Sequence, residues 1–423
     1  MTEDFLYYVW QYKTYRQPLL TTDGIEIRIL DTGIRNDDSG PDFSAAKIQI
    51  GDTLWSGNVE MHIKSSDWLR HGHTQDSSYD SVILHVVYDH DTEITTEGGN
   101  HLDVLELKNR LEDGQYARYK SLIGSRNWIS CSGQIKSIID LKLYSWLDRL
   151  LIERLERKTE IIETILSENN NNWEQAFYIS LARNFGFSVN AEPFEQLAIN
   201  TPIEILARYK DNLFQLEALL FGQSGLINPK LKDEYAKMLF DEYLFLQKKH
   251  KLNAIQSYQW KFMRMRPVNF PTIRIAQFAH LVHKSSHLFS VVIATDKLKD
   301  LLRFFELEVS PYWVEHYVFG KKSKAVKKNF GKSSFDLLLI NTIVPFLFVY
   351  AHHHGDELLK EKAILFLQHT KSESNTVVNQ FVKEGIHAHH AGHSQALIEL
   401  KNNYCMYQKC LQCAVGLQLV RGV

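Results

Sequence analysis

Two acidic residues lie on neighbouring predicted strands near the N-terminus. Asp42 directly precedes the strand in "PDFSAAKIQI", just after the turn-forming Gly40-Pro41, and Glu60 lies within the next strand, "TLWSGNVEMHIK". Because alternate residues of a strand share a face, Glu60, His62 and Lys64 point to the same side. Pairing of the two strands would therefore bring Asp42 towards Glu60.

Two convergent carboxylates form an oxygen-rich site that suits Mg²⁺ or Mn²⁺. Such an ion can hold a phosphodiester and lower the pKa of a bound water molecule. We therefore predict that Asp42 and Glu60 bind the metal. His62, together with Lys64, is predicted to orient water or to stabilise developing negative charge. The alternative is a strand whose polar face is only solvated.

A second group of possible metal ligands follows in "HGHTQDSSYD". His71, His73 and Asp76 have the residue types of a site for zinc or a similar metal. The same residues are also common polar groups of surface loops. His85, in the apolar segment "SVILHVVYD", is expected either in the core or in the wall of an active site.

The four cysteines are unevenly distributed along the 423 residues. Cys405, Cys410 and Cys413 are close together near the C-terminus, whereas Cys131 is far away in sequence. Thiolates are preferred ligands of iron–sulfur clusters and zinc. The spacing predicts that the four cysteines hold an iron–sulfur cluster, with Zn²⁺ as the alternative. Small buried apolar side chains are the non-functional interpretation.

Charge and arginine content point to a polyanionic partner. Residues 1–125 carry 21 acidic and 11 basic side chains, whereas residues 241–340 carry 17 basic and 8 acidic ones. Arg264, Arg266 and Arg274 surround a Pro-rich turn with aromatic residues, and a lysine-rich run follows at 320–332. Such residues can bind phosphates and stack on bases, so DNA or another nucleic acid is the predicted partner. A structural arginine network beside a solvated loop is the alternative.

Hydrophobic periodicity predicts an α+β protein. The first part mixes a helix, three strands, a helix-bearing connection and a further strand. After residue 130 the pattern is helical to the end, so the predicted domains are 1–130, a small α/β domain with a mixed sheet, and 131–423, a large all-helical domain. Helices beyond the long one after residue 135 are predicted at 173–186, 202–221, 231–250, 272–288, 296–306, 335–353, 355–369, 374–383 and 394–404.

The N-terminal segment and the apolar content indicate the cellular compartment of the protein. We find no run of 18 apolar residues, and "MTEDFLYYVW" has acids where a signal peptide has basic residues. Few cysteines indicate a reducing compartment. The expectation is a cytoplasmic protein without membrane association.

The N-terminal pattern resembles the PD-(D/E)xK nuclease superfamily. In that superfamily an Asp begins one core strand, an acid-x-Lys follows on the next, and the elements run helix–strand–strand–strand–helix–strand. The resemblance implies that Asp42 and Glu60 are the two acids. It departs from the pattern at His62, which occupies the Lys position, while Lys64 lies two residues further along the same face.

Two further resemblances concern the cysteines and the whole chain. One cysteine far from three near the C-terminus is similar to the iron–sulfur nucleases of the AddB/Cas4/Dna2 type, although Cys131 here follows the candidate nuclease domain. The full chain resembles an uncharacterised bacterial family, domain of unknown function 2851. That resemblance rests on "EDFLYYVW", "SGPDFSAAKIQI", "LWSGNVEMHIKSSDW", "YDSVILHVVYDHD", "FMRMRPVNFPTIRIAQFA" and "SQALIELKNNYC" with "KCLQCAVG".

Three functions remain compatible with the sequence. The first is a metal-dependent nuclease that acts on DNA and is stabilised by a cysteine-ligated cluster. The second is a non-catalytic nucleic-acid-binding or assembly protein on a degenerate nuclease scaffold, as the absence of Lys at position 62 would suggest. The third is a metal hydrolase that uses His71, His73 and Asp76.

Overall fold

The computed structural model describes residues 1–36, 38–96, 99, 101–138 and 140–422. The chain forms two compact units. The first comprises Met1–Trp146, Gln380–Ile386 and Leu400–Val423, and the second comprises Leu147–Asn379 and His387–Glu399. This division differs from the predicted boundary at residue 130. The C-terminal segment returns to the first unit because its apolar residues, Val420 among them, pack into that unit's core.

A seven-stranded mixed sheet organises the first unit. The strands are β1 (Leu19–Leu20), β2 (Glu26–Asp31), β3 (Ile34–Arg35), β4 (Phe43–Ile50), β5 (Thr53–Lys64), β6 (Val82–Asp89) and β7 (Val104–Glu106), and the accompanying helices are α1 (Glu3–Gln11), α2 (Asp67–Arg70) and α3 (Gln115–Ile123). The strand order is β1–β2–β4–β5–β6–β7, with β3 paired to β4. The β4–β5 pair is antiparallel, whereas β5–β6 and β6–β7 are parallel.

Helices dominate the second unit, which confirms the predicted α+β class. The helices are α4 (Asp140–Glu168), α5 (Trp173–Phe185), α6 (Ala191–Asn200), α7 (Ile203–Ala207), α8 (Leu213–Gln223), α9 (Glu234–His250), α10 (Pro271–Lys284), α11 (Leu288–Ala294), α12 (Leu298–Phe304), α13 (Pro311–Val314), α14 (Lys332–Leu338), α15 (Val344–His354), α16 (Glu357–Gln368), α17 (Thr376–Lys383) and α18 (Ala391–Glu399). The first residues of α4 and the last residues of α17 belong to the first unit. A short hairpin of β8 (His316–Val318) and β9 (Lys321–Lys322) interrupts them. The last helix, α19 (Ala414–Arg421), belongs to the first unit.

The predicted helix at 202–221 is two helices, α7 and α8. Its break occurs at Asn212, whose side chain accepts a hydrogen bond from the amide of Gln215 and thereby caps α8. The predicted helix at 335–353 is also composite, because a π-helical segment, Leu339–Ile343, connects α14 to α15. Local capping and backbone geometry, which hydrophobic periodicity does not report, explain both differences.

The main core of the first unit lies on one face of the sheet. Val59 and Met61 of β5 are buried there, together with Phe5 of α1. Because side chains alternate along β5, Glu60 and His62 lie on the opposite face. The first unit also contains a smaller apolar cluster around Trp68. Glu60 and His62 are only 5% and 2% exposed. Two polar side chains are thus held in the interior.

One stretch of the second unit, Lys332–His354, is long and apolar enough to cross a membrane, judged by length and composition alone. Most of it is buried inside the protein. The core helices of globular proteins commonly have the same properties.

Candidate metal centre

Strand register places Asp42 beside Glu60. The Cα partner of Phe43 on β4 is Val59 on β5. Because the two strands are antiparallel, Asp42 and Glu60 are the neighbouring residues on the same side of that pair. The amide of Asp42 donates a hydrogen bond to Glu60 Oε2 at 3.1 Å. The sheet itself therefore fixes the separation of the two acidic residues.

The Asp42 carboxylate is held by two donors. Tyr7 of α1 donates its hydroxyl to Oδ1 at 2.8 Å, and the amide of Met61 donates to Oδ2 at 2.9 Å. Arg35 lies over the Tyr7 ring, with its guanidinium carbon 4.9 Å from the ring centroid, and its charge acts to lower the pKa of Asp42. These contacts orient the carboxylate and leave its further lone pairs free to bind a cation.

Four histidines surround the other side of Glu60. His62 Nε2 is 3.0 Å from His71 Nδ1, and His62 Nδ1 is 2.9 Å from His85 Nε2. Glu60 Oε1 lies 3.3 Å from His73 Nε2 and 3.5 Å from His62 Nε2. The site therefore combines oxygen and nitrogen donors around a single carboxylate.

Different elements supply these imidazoles. His62 is on β5 and His85 is on β6, where it is the register partner of Glu60. His71 directly follows α2, and His73 begins a 3₁₀ turn. The segment that connects the parallel strands β5 and β6 therefore carries His71 and His73 back over the sheet face to which Glu60 points.

Burial controls the ionisation of these groups. Burial, with a contribution from nearby Asp42, raises the pKa of Glu60 to about 8. Burial also raises the pKa of Asp42 to about 6, despite the hydrogen bonds from Tyr7 and Met61. Both shifts arise because the carboxylates lose water without gaining a full counter-charge, which a bound cation would supply.

The imidazoles shift in the opposite direction for the same reason. Burial and the neighbouring histidines lower the pKa of His62 to about 3, and burial lowers that of His73. The pKa of His85 is far below its ordinary value because the ring is buried. Neutral imidazoles have a lone pair available, as metal ligands require.

A buried nitrogen without a hydrogen bond and the spacing of the histidines show whether this site fits a metal. His73 Nε2 is buried and makes no hydrogen bond, although it lies 3.3 Å from Glu60 Oε1. His62, His71 and His73 each have a potential ligand atom within 4.8 Å of those of the other two. They form such a group among the described His, Cys, Asp and Glu residues. The donor set therefore fits a divalent cation.

Two predicted residues lie away from this arrangement. Lys64 is half-exposed at the end of β5, and its Nζ is 3.6 Å from Asp91 Oδ2. Asp76 uses its carboxylate to cap a 3₁₀ turn by accepting from the amide of Ser78. The structure thus brings Asp42, Glu60 and His62 together, but it does not bring Lys64 or Asp76 to them.

Two residues at the centre were missed by sequence reasoning, Tyr7 and Arg35, which contact or approach Asp42. His85, expected either in the core or in an active-site wall, is fully buried and contacts His62. Tyr7 and Arg35 carried no comparable signal, since their positions depend on how α1 packs on the sheet.

All four cysteines line one cavity in the first unit. Cys131, Cys405, Cys410 and Cys413 meet there with Ser130, Tyr404 and Lys409. Each cysteine is free of disulfide bonds. Folding thereby brings Cys131 next to cysteines that lie more than 270 positions later in the chain.

The cysteine cavity has features of a thiolate site. Amides of Val415 and Gly416, at the start of α19, donate hydrogen bonds to the Cys413 sulfur. A side chain could not replace Gly416, because a Cβ there would lie 2.0 Å from the carbonyl oxygen of Cys410. Burial raises the pKa of Cys131 to about 12 and that of Cys413 to about 11. A cation in the cavity would reverse these shifts.

The predicted nucleic-acid-binding arginines have two different environments in the second unit. Arg264 and Arg266 are exposed. Arg274 is 4% exposed and donates hydrogen bonds to Gln277, Asn269 and Ser334. Its guanidinium is therefore used inside the unit, as a structural arginine would be.

The fold and the site define an α+β protein with a candidate metal centre on a mixed sheet. The chain belongs to the family described as "Protein of unknown function (DUF2851)", which it matches over residues 3–376. The matched region contains the Asp42–Glu60 centre and Cys131 and ends before the three C-terminal cysteines. No curated protein matches the chain, and no solved structure matches it.

Proposed function

We propose that this protein is a metal-dependent nuclease that hydrolyses phosphodiester bonds in DNA. The observation that carries the proposal is the adjacency of Asp42 and Glu60, which the β4–β5 register and the hydrogen bond from the Asp42 amide to Glu60 Oε2 produce. Without the two-residue strands β1 and β3, the order is α1–β2–β4–β5–α2–β6, which supports the proposal because it agrees with the element order of the PD-(D/E)xK superfamily.

Asp42 and Glu60 would hold Mg²⁺ or Mn²⁺, which supplies Lewis acidity and lowers the pKa of a water molecule. Tyr7 and the Met61 amide keep the Asp42 carboxylate in one orientation. His62 occupies the position of the superfamily Lys and is neutral. Its ring nitrogens face His71 and His85, so it would accept a hydrogen bond from water once the exposed His71 ring turns away from Nε2. Arg35 is a cation near Asp42 and can stabilise negative charge on a bound phosphate.

We also propose that the four cysteines hold an iron–sulfur cluster that fastens the C-terminal return to the rest of the first unit. Four thiolates on a single zinc ion, with Zn–S of about 2.3 Å, lie roughly 3.8 Å apart. Among the described residues, the cysteines do not form a group of three with sulfurs within 4.8 Å. This wider spacing favours a cluster, whose ligands bind separate iron atoms, over zinc.

An anaerobic preparation tests this assignment by visible absorption and by iron, sulfide and zinc analysis. Stoichiometric iron and sulfide are the expected result. Zinc without sulfide would replace the cluster with a structural zinc site, and neither element would leave the cysteines as packing residues.

DNA is the proposed substrate because the second unit carries exposed cationic groups. Arg264 and Arg266 are exposed, as are Lys321 and Lys322 of the β8–β9 hairpin. Arginine and lysine side chains in such positions bind phosphates and make affinity fall with salt. Arg274 and Lys328, both buried, are not included in this surface.

The nuclease proposal is tested by assaying the full chain with Mg²⁺ or Mn²⁺ on single- and double-stranded DNA. Wild-type protein should cut, and Asp42→Asn should lower the rate by at least about 10³-fold, since it removes a charged metal ligand. Asp52→Asn, a change of an exposed carboxylate in the turn between β4 and β5, is the matched control and should cut normally. Equal cutting by wild type and Asp42→Asn would indicate a contaminating nuclease and overturn the proposal.

The position of Lys64 favours a second candidate, a non-catalytic nucleic-acid-binding protein. Its ammonium group is engaged near Asp91 and cannot replace the Lys that is missing at position 62. In this case DNA binding is retained in Asp42→Asn and no DNA or RNA is cut. Double charge reversal at Arg264 and Arg266 should then weaken binding and reduce its salt dependence.

A further inference from the structure

Of the imidazoles next to Glu60, His71 and His73 have no role in the proposed Mg²⁺ or Mn²⁺ site. We propose that His62, His71 and His73, with Glu60 Oε1, form a second metal site that takes a divalent transition ion of the zinc, cobalt or iron type. This site shares Glu60 and His62 with the proposed nuclease centre, but its occupancy does not depend on nuclease activity.

Interatomic distances support a single ion among these groups. With metal–nitrogen bonds of 2.0–2.1 Å, two ligands of one ion lie roughly 2.9–3.4 Å apart. His62 Nε2 and His71 Nδ1 are 3.0 Å apart, and His73 Nε2 is 3.3 Å from Glu60 Oε1. His62 Nε2 and Glu60 Oε1 are 3.5 Å apart, close to the same range.

The His73 ring is fixed in place without using its inward nitrogen. Its ring stacks on Tyr79 with centroids 3.8 Å apart and meets the edge of Trp68 at 5.3 Å. The side chain is 10% exposed, and Nε2 is buried without a hydrogen bond. A buried nitrogen without a partner is costly, and a metal bond would satisfy it.

A neighbouring histidine supplies the contact that metal-bound imidazoles usually have. If His62 Nε2 binds the ion, the ring proton is on Nδ1, which faces His85 Nε2 at 2.9 Å. His85 is fully buried and cannot turn to solvent. His71 completes the group from the exposed side, where its Nδ1 lies 3.0 Å from His62 Nε2.

Donor chemistry decides the kind of ion. Imidazole nitrogens suit zinc, cobalt, iron and nickel, whereas Mg²⁺ prefers six oxygen ligands and keeps several water molecules. Glu60 offers Oε1 to the histidines, while its Oε2 faces the Asp42 amide. The two sides of one carboxylate thus face donor sets of different character.

The test titrates metal-free full-length protein with Co²⁺ under anaerobic conditions and follows its visible d–d absorption. Cobalt bound to nitrogen and oxygen lacks the intense thiolate charge-transfer band that binding to the cysteines produces, so the two sites are read separately. The wild-type protein should bind one such equivalent. Binding should weaken by at least about 100-fold in His73→Ala, because loss of a ligand exceeds the 10–100-fold cost of losing an outer contact.

His71→Ala provides a variant that is expected to fold, since His71 is exposed. It should lose the same band, whereas His101→Ala, which removes a half-exposed histidine near Asp23, should keep it. Retention of the nitrogen-ligated band in both His71→Ala and His73→Ala would overturn the site. Absence of the nitrogen-ligated band from the wild type would also overturn the site and would leave a chain of hydrogen-bonded histidines.

Failure of this inference can be told apart from failure of the nuclease proposal. Asp42→Asn should retain the cobalt band, because Asp42 is not among the four ligands, while losing DNA cutting. A cobalt band that depends on His71 and His73 in a protein that cuts nothing would support the site and count only against the nuclease proposal.

Discussion

The candidate metal centre on the sheet and the cysteine site are built in opposite ways. Asp42, Glu60, His62, His71 and His73 come from one short stretch of chain. Strand register positions Asp42, Glu60 and His62, and the segment that connects β5 to β6 supplies His71 and His73. The cysteine site joins Cys131 to residues beyond position 400, on 3₁₀ turns and the start of α19. The first site is therefore a consequence of the sheet, whereas the second helps to hold distant parts of the chain together.

The largest predicted effect concerns the cysteine site. Cys413→Ala should lower the free energy of unfolding of the metal-loaded protein by about 4 kcal/mol, because it breaks a structural metal site in the core. Anaerobic urea unfolding, followed by fluorescence, measures this change. Met406→Ala, at an exposed neighbouring position, is the control. If the two variants lose equal stability, the cysteines do not fasten the C-terminal segment.

The second prediction concerns Glu217, a buried acid of the second unit that is the counterpart of Glu60 in the first. Glu217 is fully buried in the second unit, where Tyr235 and Trp313 donate hydrogen bonds to it. Burial raises its pKa to about 7. The folded state therefore holds the proton more tightly than the unfolded state, and stability falls as the pH rises from about 4.5 to 7.

Glu217→Gln removes this titration. Relative to the wild type, the variant should gain about 3 kcal/mol between pH 4.5 and pH 8, as judged by urea unfolding at the two values. Glu204→Gln, an exposed change in α7, should show no comparable difference. A pH-independent effect of Glu217→Gln would mean that the acid is ionised in the folded protein.

The smallest predicted effect concerns the group that orients Asp42. Tyr7→Phe removes the hydroxyl that donates to Asp42 Oδ1 and should weaken Mn²⁺ binding about 10–100-fold. Electron paramagnetic resonance of free Mn²⁺ measures the affinity. Lys64→Ala should change it less than about twofold, because Lys64 is near Asp91 and exposed pairs contribute little. A loss in Lys64→Ala as large as that in Tyr7→Phe would assign Lys64 to the centre.

The sequence by itself determined the α+β class and the common face of Glu60 and His62. Both follow from short-range periodicity, which is local and requires no knowledge of the rest of the fold. Strand pairing between "PDFSAAKIQI" and the next strand was also accessible, because the two strands are adjacent in sequence.

Only the tertiary structure decided which further residues meet. His71 and His73 reach His62 because the chain after α2 folds back over the sheet, and Lys64 turns to Asp91 although it shares a strand face with Glu60. Arg274 looked like a phosphate ligand but is buried, since the packing of α10 decides its exposure. Contacts between residues distant in sequence depend on the path of the whole chain, and a local pattern carries no record of that path.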